Sequence, residues 1–113
     1  MGYVTKISLE TLMHMMQDMK VNDVIGLAAS VWEEDGETEG EEWFAIQKID
    51  LSKTDSIWQY WVIQYFGGYD SPRIISDYNE GEYLEDDLRK ALKETELLKE
   101  DGVWIDRNDC KEE

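Results

Sequence analysis

Apolar side chains recur along this chain in two rhythms, one near 3.6 residues and one of two, and the switches between them divide it into elements. Leu9, Leu12, Met13, Met16 and Met19 fall on one side of a helix, with Ser8 placed to cap it and Glu10 in the first turn. A helix is therefore predicted from about Leu9 to Lys20. From Val24 to Trp32 the period drops to two, with Ile25, Leu27, Ala29 and Val31 against Gly26, Ala28, Ser30 and Trp32, which predicts a strand. Trp43 to Asp50 reads the same way, so the segment between the two becomes the long tip of a β-hairpin, with Gly36 and Gly40 free to take positive φ. Ile57 to Phe66 is aromatic and β-branched on both faces, as suits a central strand with one face covered and the other covered or used for binding. Arg73 to Tyr78 is a shorter strand after a Gly-Gly-Tyr-Asp-Ser-Pro loop, with Pro72 at its entry where no ladder donor is needed.

The second helix has the clearest stripe: Leu84, Leu88, Ala91, Leu92, Thr95 and Leu98 follow Asn79 and Glu82, which together resemble a capping box. Acids crowd its beginning and Arg89, Lys90, Lys93 and Lys99 follow, matching the helix dipole and setting up pairs from Glu85 to Arg89 and from Asp86 to Lys90. Gly102 is placed to end it as the C′ residue. Val103-Trp104-Ile105 then docks as a short extra strand or an apolar plug before a polar tail over about 106–113. The pattern predicts one α+β domain in the order α-β-β-β-β-α, an antiparallel sheet of about four strands packed with helices.

Charge changes this picture. Glu33-Glu34-Asp35-Gly36-Glu37-Thr38-Glu39-Gly40-Glu41-Glu42 carries seven carboxylates and no base, in a chain whose formal net charge is -16 at pH 7. Such a surface repels nucleic acid and anionic membranes and steers the chain to a strongly basic partner. Disorder is not expected, because 42% of the residues are hydrophobic and fall into periodic runs. Cys110 is the single cysteine, so no internal disulfide forms, and the N-terminus shows neither an apolar signal core nor a myristoylation pattern, with Lys6 where that pattern wants Ser or Thr. The expectation is a reducing cytoplasm.

Catalytic readings find little material. One histidine and one cysteine leave almost nothing for nucleophile and base, and His14 lies off the apolar stripe of its helix, as a solvated residue does. Gly67-Gly68 lacks the lysine and spacing of a phosphate-binding loop, and the acidic decapeptide lacks the Asp/Asn pattern of a calcium loop. No enzyme, cofactor or metal role is expected. The aromatic residues divide between core and contact, with Trp32, Trp43, Tyr60 and Tyr69 the candidates for exposed anchors, since Trp and Tyr lead at binding hot spots.

A DNA duplex carries one charge per roughly 1.7 Å of axis, or about one per 100 Å² of its surface, and an even spread of this chain's charge is roughly fourfold thinner. Segregation makes up the difference: no Lys or Arg stands between Lys20 and Lys48, nor between Arg73 and Arg89. The candidate partner-binding acids are therefore Glu33, Glu34, Asp35, Glu37, Glu39, Glu41 and Glu42, then Asp77, Glu80, Glu82, Glu85 and Asp86, with Tyr69 as the aromatic contact. In its small size, acidity, mixed helix and sheet, aromatic-rich strand and lack of catalytic groups, the chain resembles phage-encoded inhibitors that mimic nucleic acid, of the anti-CRISPR and anti-restriction type. That resemblance covers the whole chain as composition and element order. It implies a stoichiometric inhibitor in the groove of a basic nuclease or defence effector, with carboxylates replacing phosphates. An immunity protein or antitoxin would set the same charge against a basic toxin, and a sugar-binding module would use the exposed aromatics and ignore the acids.

Overall fold

The computed structural model describes residues 3–50, 59–65, 73–76 and 84–109. They form one α+β domain around an antiparallel sheet of six strands in the order β1-β6-β2-β3-β4-β5. The elements are β1 (Val4–Ser8), α1 (Leu9–Asp18), β2 (Val24–Glu34), β3 (Glu37–Asp50), β4 (Gln59–Tyr65), β5 (Arg73–Ser76), α2 (Leu84–Glu94) and β6 (Gly102–Asp106). The expected middle of the chain is present, Val103-Trp104-Ile105 takes the strand form of its two expectations, and the N-terminal end differs. Val4–Ser8 is a strand ahead of the first helix, pairing with β6 from Val4 opposite Asp106 to Ser8 opposite Gly102. With Thr5 and Lys6 inside it, five residues offer too little alternation to stand out, and the strand exists because β6 supplies its ladder.

Both helices lie on one face of the sheet. Leu9, Leu12 and Met16 of α1 and Leu84, Leu88, Ala91 and Leu92 of α2 are buried against Ile25, Leu27, Ile46, Trp61, Ile63, Ile75, Val103 and Ile105. The Ser8 hydroxyl oxygen accepts from the Thr11 N–H at 3.1 Å, the expected cap, and α1 ends at Asp18. The Trp61 indole donates to the Met16 carbonyl at 3.0 Å, and the Lys48 ammonium donates to the Met19 carbonyl at 3.1 Å while lying over the Trp61 ring. These bonds satisfy the open carbonyls at the end of α1, where no basic residue stands in the last turn.

Gly102 does not end α2. Glu96 takes the left-handed conformation at φ 60°, and the Leu97 N–H donates to the Leu92 carbonyl at 2.8 Å, a Schellman closure that drives Leu97 into the core. Gly102 instead opens β6, where a Cβ would come within 2.6 Å of the Ile7 carbonyl oxygen. The proposed capping box at Asn79 and Glu82 lies outside the described residues. The polar stretch after β6 is anchored: an Asp109 carboxylate oxygen accepts from the Gly26 N–H at 2.7 Å, and the Arg107 N–H donates to the Tyr3 carbonyl at 2.9 Å.

Candidate functional site

The acidic decapeptide is not a long loop. Strands β2 and β3 run to a two-residue turn, Asp35-Gly36, closed by Glu34 opposite Glu37. Both turn residues have positive φ, 53° and 80°, the type I′ geometry whose twist matches that of paired strands. Gly36 takes the positive φ expected of it. Gly40, expected to do the same, does not: it lies within β3 opposite Val31, and Glu42 takes φ 53° in its place.

That residue is an elbow. Pairing keeps one register from Val24 opposite Gln47 to Glu34 opposite Glu37 but skips Ala29 and Glu42. In a straight ladder Gly40 would lie roughly 10 Å along the strand from the Ala28 position. Instead a Cβ on Gly40 would stand 2.8 Å from the Ala28 Cβ, 2.8 Å from Trp43 Cζ2 and 3.0 Å from Val4 Cγ1. The outer half of the hairpin thus folds over the sheet face opposite the helices, and Gly40 is needed because no side chain fits between the layers. Val4, Ala28 and Trp43 form a small second core there, with Val31 and Trp104 packed on it. Trp43 is consequently buried and no surface anchor, and its indole N–H has no hydrogen-bond acceptor. Packing outweighs that lost bond.

Alternation then sorts the hairpin. Val31 and Gly40 point to the small core, so the outward face carries Trp32 opposite Glu39, Glu34 opposite Glu37, and Ser30 opposite Glu41. A further bridge sets Tyr3 opposite Glu39 on its other side, so three strands present Trp32, Glu39 and Tyr3 in a row. Trp32 is 41% exposed and Tyr3 46%. Among the described residues one base reaches this region: Arg107 Nη1 donates to Glu37 Oε2 at 3.0 Å, and its guanidinium carbon lies 5.3 Å from the Tyr3 ring centroid. Among the described residues, Glu33, Glu34, Asp35, Glu39, Glu41 and Glu42 make no ion pair or hydrogen bond through their side chains. The hairpin is therefore pinned at its base, across its small core and at Glu37, while most of its charge faces outward.

The second acidic segment behaves differently. Asp77, Glu80 and Glu82 lie outside the described residues, as do Tyr69 and the side chain of Tyr60. Glu85 is engaged within the fold: Arg89 Nε donates to its Oε2 at 3.1 Å, and Arg89 Nη1 reaches Asp101 at 3.4 Å. The bond to Glu85 is the main reason the Arg89 guanidinium is held above its ordinary pKa. Asp86 is exposed. Because α2 covers the helix-bearing face and the hairpin folds over the other, Glu85 and Asp86 do not join the hairpin acids in one surface.

Elsewhere, α1 and α2 flank a groove of about 510 Å³ lined by Leu9, Met13, His14, Leu84, Glu85 and Arg89, among others. His14 stands exposed on its rim. Among the described residues no three His, Cys, Asp or Glu side chains converge as a metal site, and no helix is long and apolar enough to cross a membrane. Compared with models of protein families, with curated proteins and with solved structures, the chain matches none.

Proposed function

We propose that this protein is a non-enzymatic inhibitor that occupies the basic nucleic-acid-binding surface of a nuclease or defence effector, in an anti-CRISPR or anti-restriction role, and that the outward face of the β2–β3 hairpin makes the contact. The observation that carries this reading is the outward row of carboxylates on a braced hairpin, of which Glu37 alone is paired, with Arg107, among the described residues. A bound partner then meets charge already fixed in place and loses less conformational freedom than with a flexible tail. Spacing supports it as well. Glu37, Glu39 and Glu41 alternate along β3, so their backbone positions repeat at about 6.8 Å. Successive phosphates of one DNA strand rise about 3.4 Å and turn about 36° at a radius near 10 Å, which separates them by roughly 7 Å. Carboxylates at that repeat can meet Arg and Lys side chains arranged for phosphates.

Capture from a host lysate at low salt, followed by challenge with duplex DNA, tests the reading. The expected partner is a nucleic-acid-binding protein that DNA releases from the inhibitor in proportion to its concentration. A captured partner that keeps its hold while saturated with DNA would contradict occupation of its groove. A secreted or plasmid-borne toxin as partner would favour the immunity-protein reading, which uses the same face.

A further inference from the structure

The hairpin face already holds one guanidinium, and it is the protein's own. Arg107 lies against the Tyr3 ring and donates to Glu37, an aromatic face and a carboxylate edge acting on one planar cation. Across Glu39 the same residue types recur without an internal occupant. Trp32 stands exposed with Glu39 opposite it and Glu34 two residues along its own strand, and neither carboxylate has a partner among the described residues. Trp32, 41% exposed, belongs to neither of the two buried clusters. Its neighbours on the small core, Val31 and Trp43, show that burial on this hairpin takes the inward register, which Trp32 does not occupy. A large aromatic surrounded by carboxylates on an unpartnered sheet face is complementary to a cation that is planar, weakly hydrated and able to bond at its edge.

We propose that Trp32, with Glu34 and Glu39, forms a seat for an arginine side chain of the partner, the guanidinium stacking on the indole while its N–H groups meet the carboxylates. The proposal rests on the hairpin being the contact face and adds what that face selects. Lysine fits it less well, because an ammonium is a strongly hydrated point charge with no planar face to stack and no fork to offer a carboxylate. The seat thus selects arginine-rich surfaces from among basic ones, which net charge alone does not do.

Two peptides of equal length and charge, deca-arginine and deca-lysine, titrated calorimetrically into the full chain at physiological ionic strength, test it. The native protein is expected to bind deca-arginine about tenfold more tightly. Trp32→Ala is expected to bring that ratio close to one while leaving the deca-lysine affinity in place, and Trp32→Phe to keep part of the preference. Because the indole is exposed, the fold should survive, and circular dichroism of each variant verifies it. A native ratio below about threefold, or a preference that persists in a folded Trp32→Ala variant, overturns the arginine seat while leaving the hairpin as a contact face. Failure of both peptides to bind the native protein overturns the seat and the hairpin reading together.

Discussion

The acids of α2 are four in eleven residues and share their helix with bases, whereas those of the hairpin tip are seven in ten and share it with none. On α2, bases follow the acids at helical spacing, so Glu85 finds Arg89 one turn on, and Arg89 also reaches Asp101. On the hairpin no base occurs between Lys20 and Lys48, and among the described residues the one cation that arrives comes from Arg107, seventy positions away, and meets Glu37 alone. Strand geometry then keeps like charges on a common face at about 6.8 Å, a separation at which they repel. The turn, the elbow and the small core hold the hairpin against that repulsion. Acidic composition is therefore poor evidence of function where the local geometry brings bases to the acids. It is better evidence where the fold braces unpaired charge and leaves it outward.

Substitutions can break each side of this contrast. Leu88→Ala or Leu92→Ala, at fully buried positions under the helix-covered face, should destabilise by about 2–5 kcal/mol in denaturant titrations. A loss below about 0.5 kcal/mol at both sites would mean that this face is not the main core. Gly40→Ala forces a methyl group against Ala28 and Trp43 and should cost about 1–3 kcal/mol by the same measurement. No loss there would show that the outer hairpin does not fold over the sheet. Arg107→Ala should cost under about 1 kcal/mol, because the side chains of this ion pair are each roughly half exposed, and the difference should shrink in high salt. The smallest effect belongs to replacing Glu33, Glu34, Glu37, Glu39, Glu41 and Glu42 together with Gln: the midpoint of thermal unfolding should hold or rise slightly as repulsion is relieved.

Alternation and the 3.6 stripe made the two helices, the hairpin and the α+β class legible, because Leu12, Leu27, Ile46 and Leu88 each follow the period of the element that buries them. The chain ends were less legible. Val103-Trp104-Ile105 takes the strand form of its two expectations, but Val4–Ser8 did not stand out, because its partner β6 lies across nearly the whole chain, in no local window. The elbow escaped because Gly40 looked like a turn residue, whereas its smallness serves a close layer contact and the left-handed backbone falls on Glu42. For the candidate site, the acids were visible as a run. Their division into an outward set around Trp32 required the two-residue turn that fixes the register. The burial of Trp43 required the fold-over, and the pairing of Glu37 with Arg107 required the tertiary structure.

The central claim is that the outward carboxylates of the hairpin are the binding surface, and the six-Gln variant measured against the captured partner tests it most directly. Glutamine keeps size and hydrogen-bonding capacity and removes only charge, so a folded variant isolates the electrostatic contribution. Each well-formed charge-assisted contact to Arg or Lys contributes about 1.5–3 kcal/mol, so losing two or three should raise Kd by at least about a hundredfold. Much of the salt dependence of the association rate should disappear with it. A folded six-Gln protein that binds the same partner within about threefold of the native affinity would contradict the account.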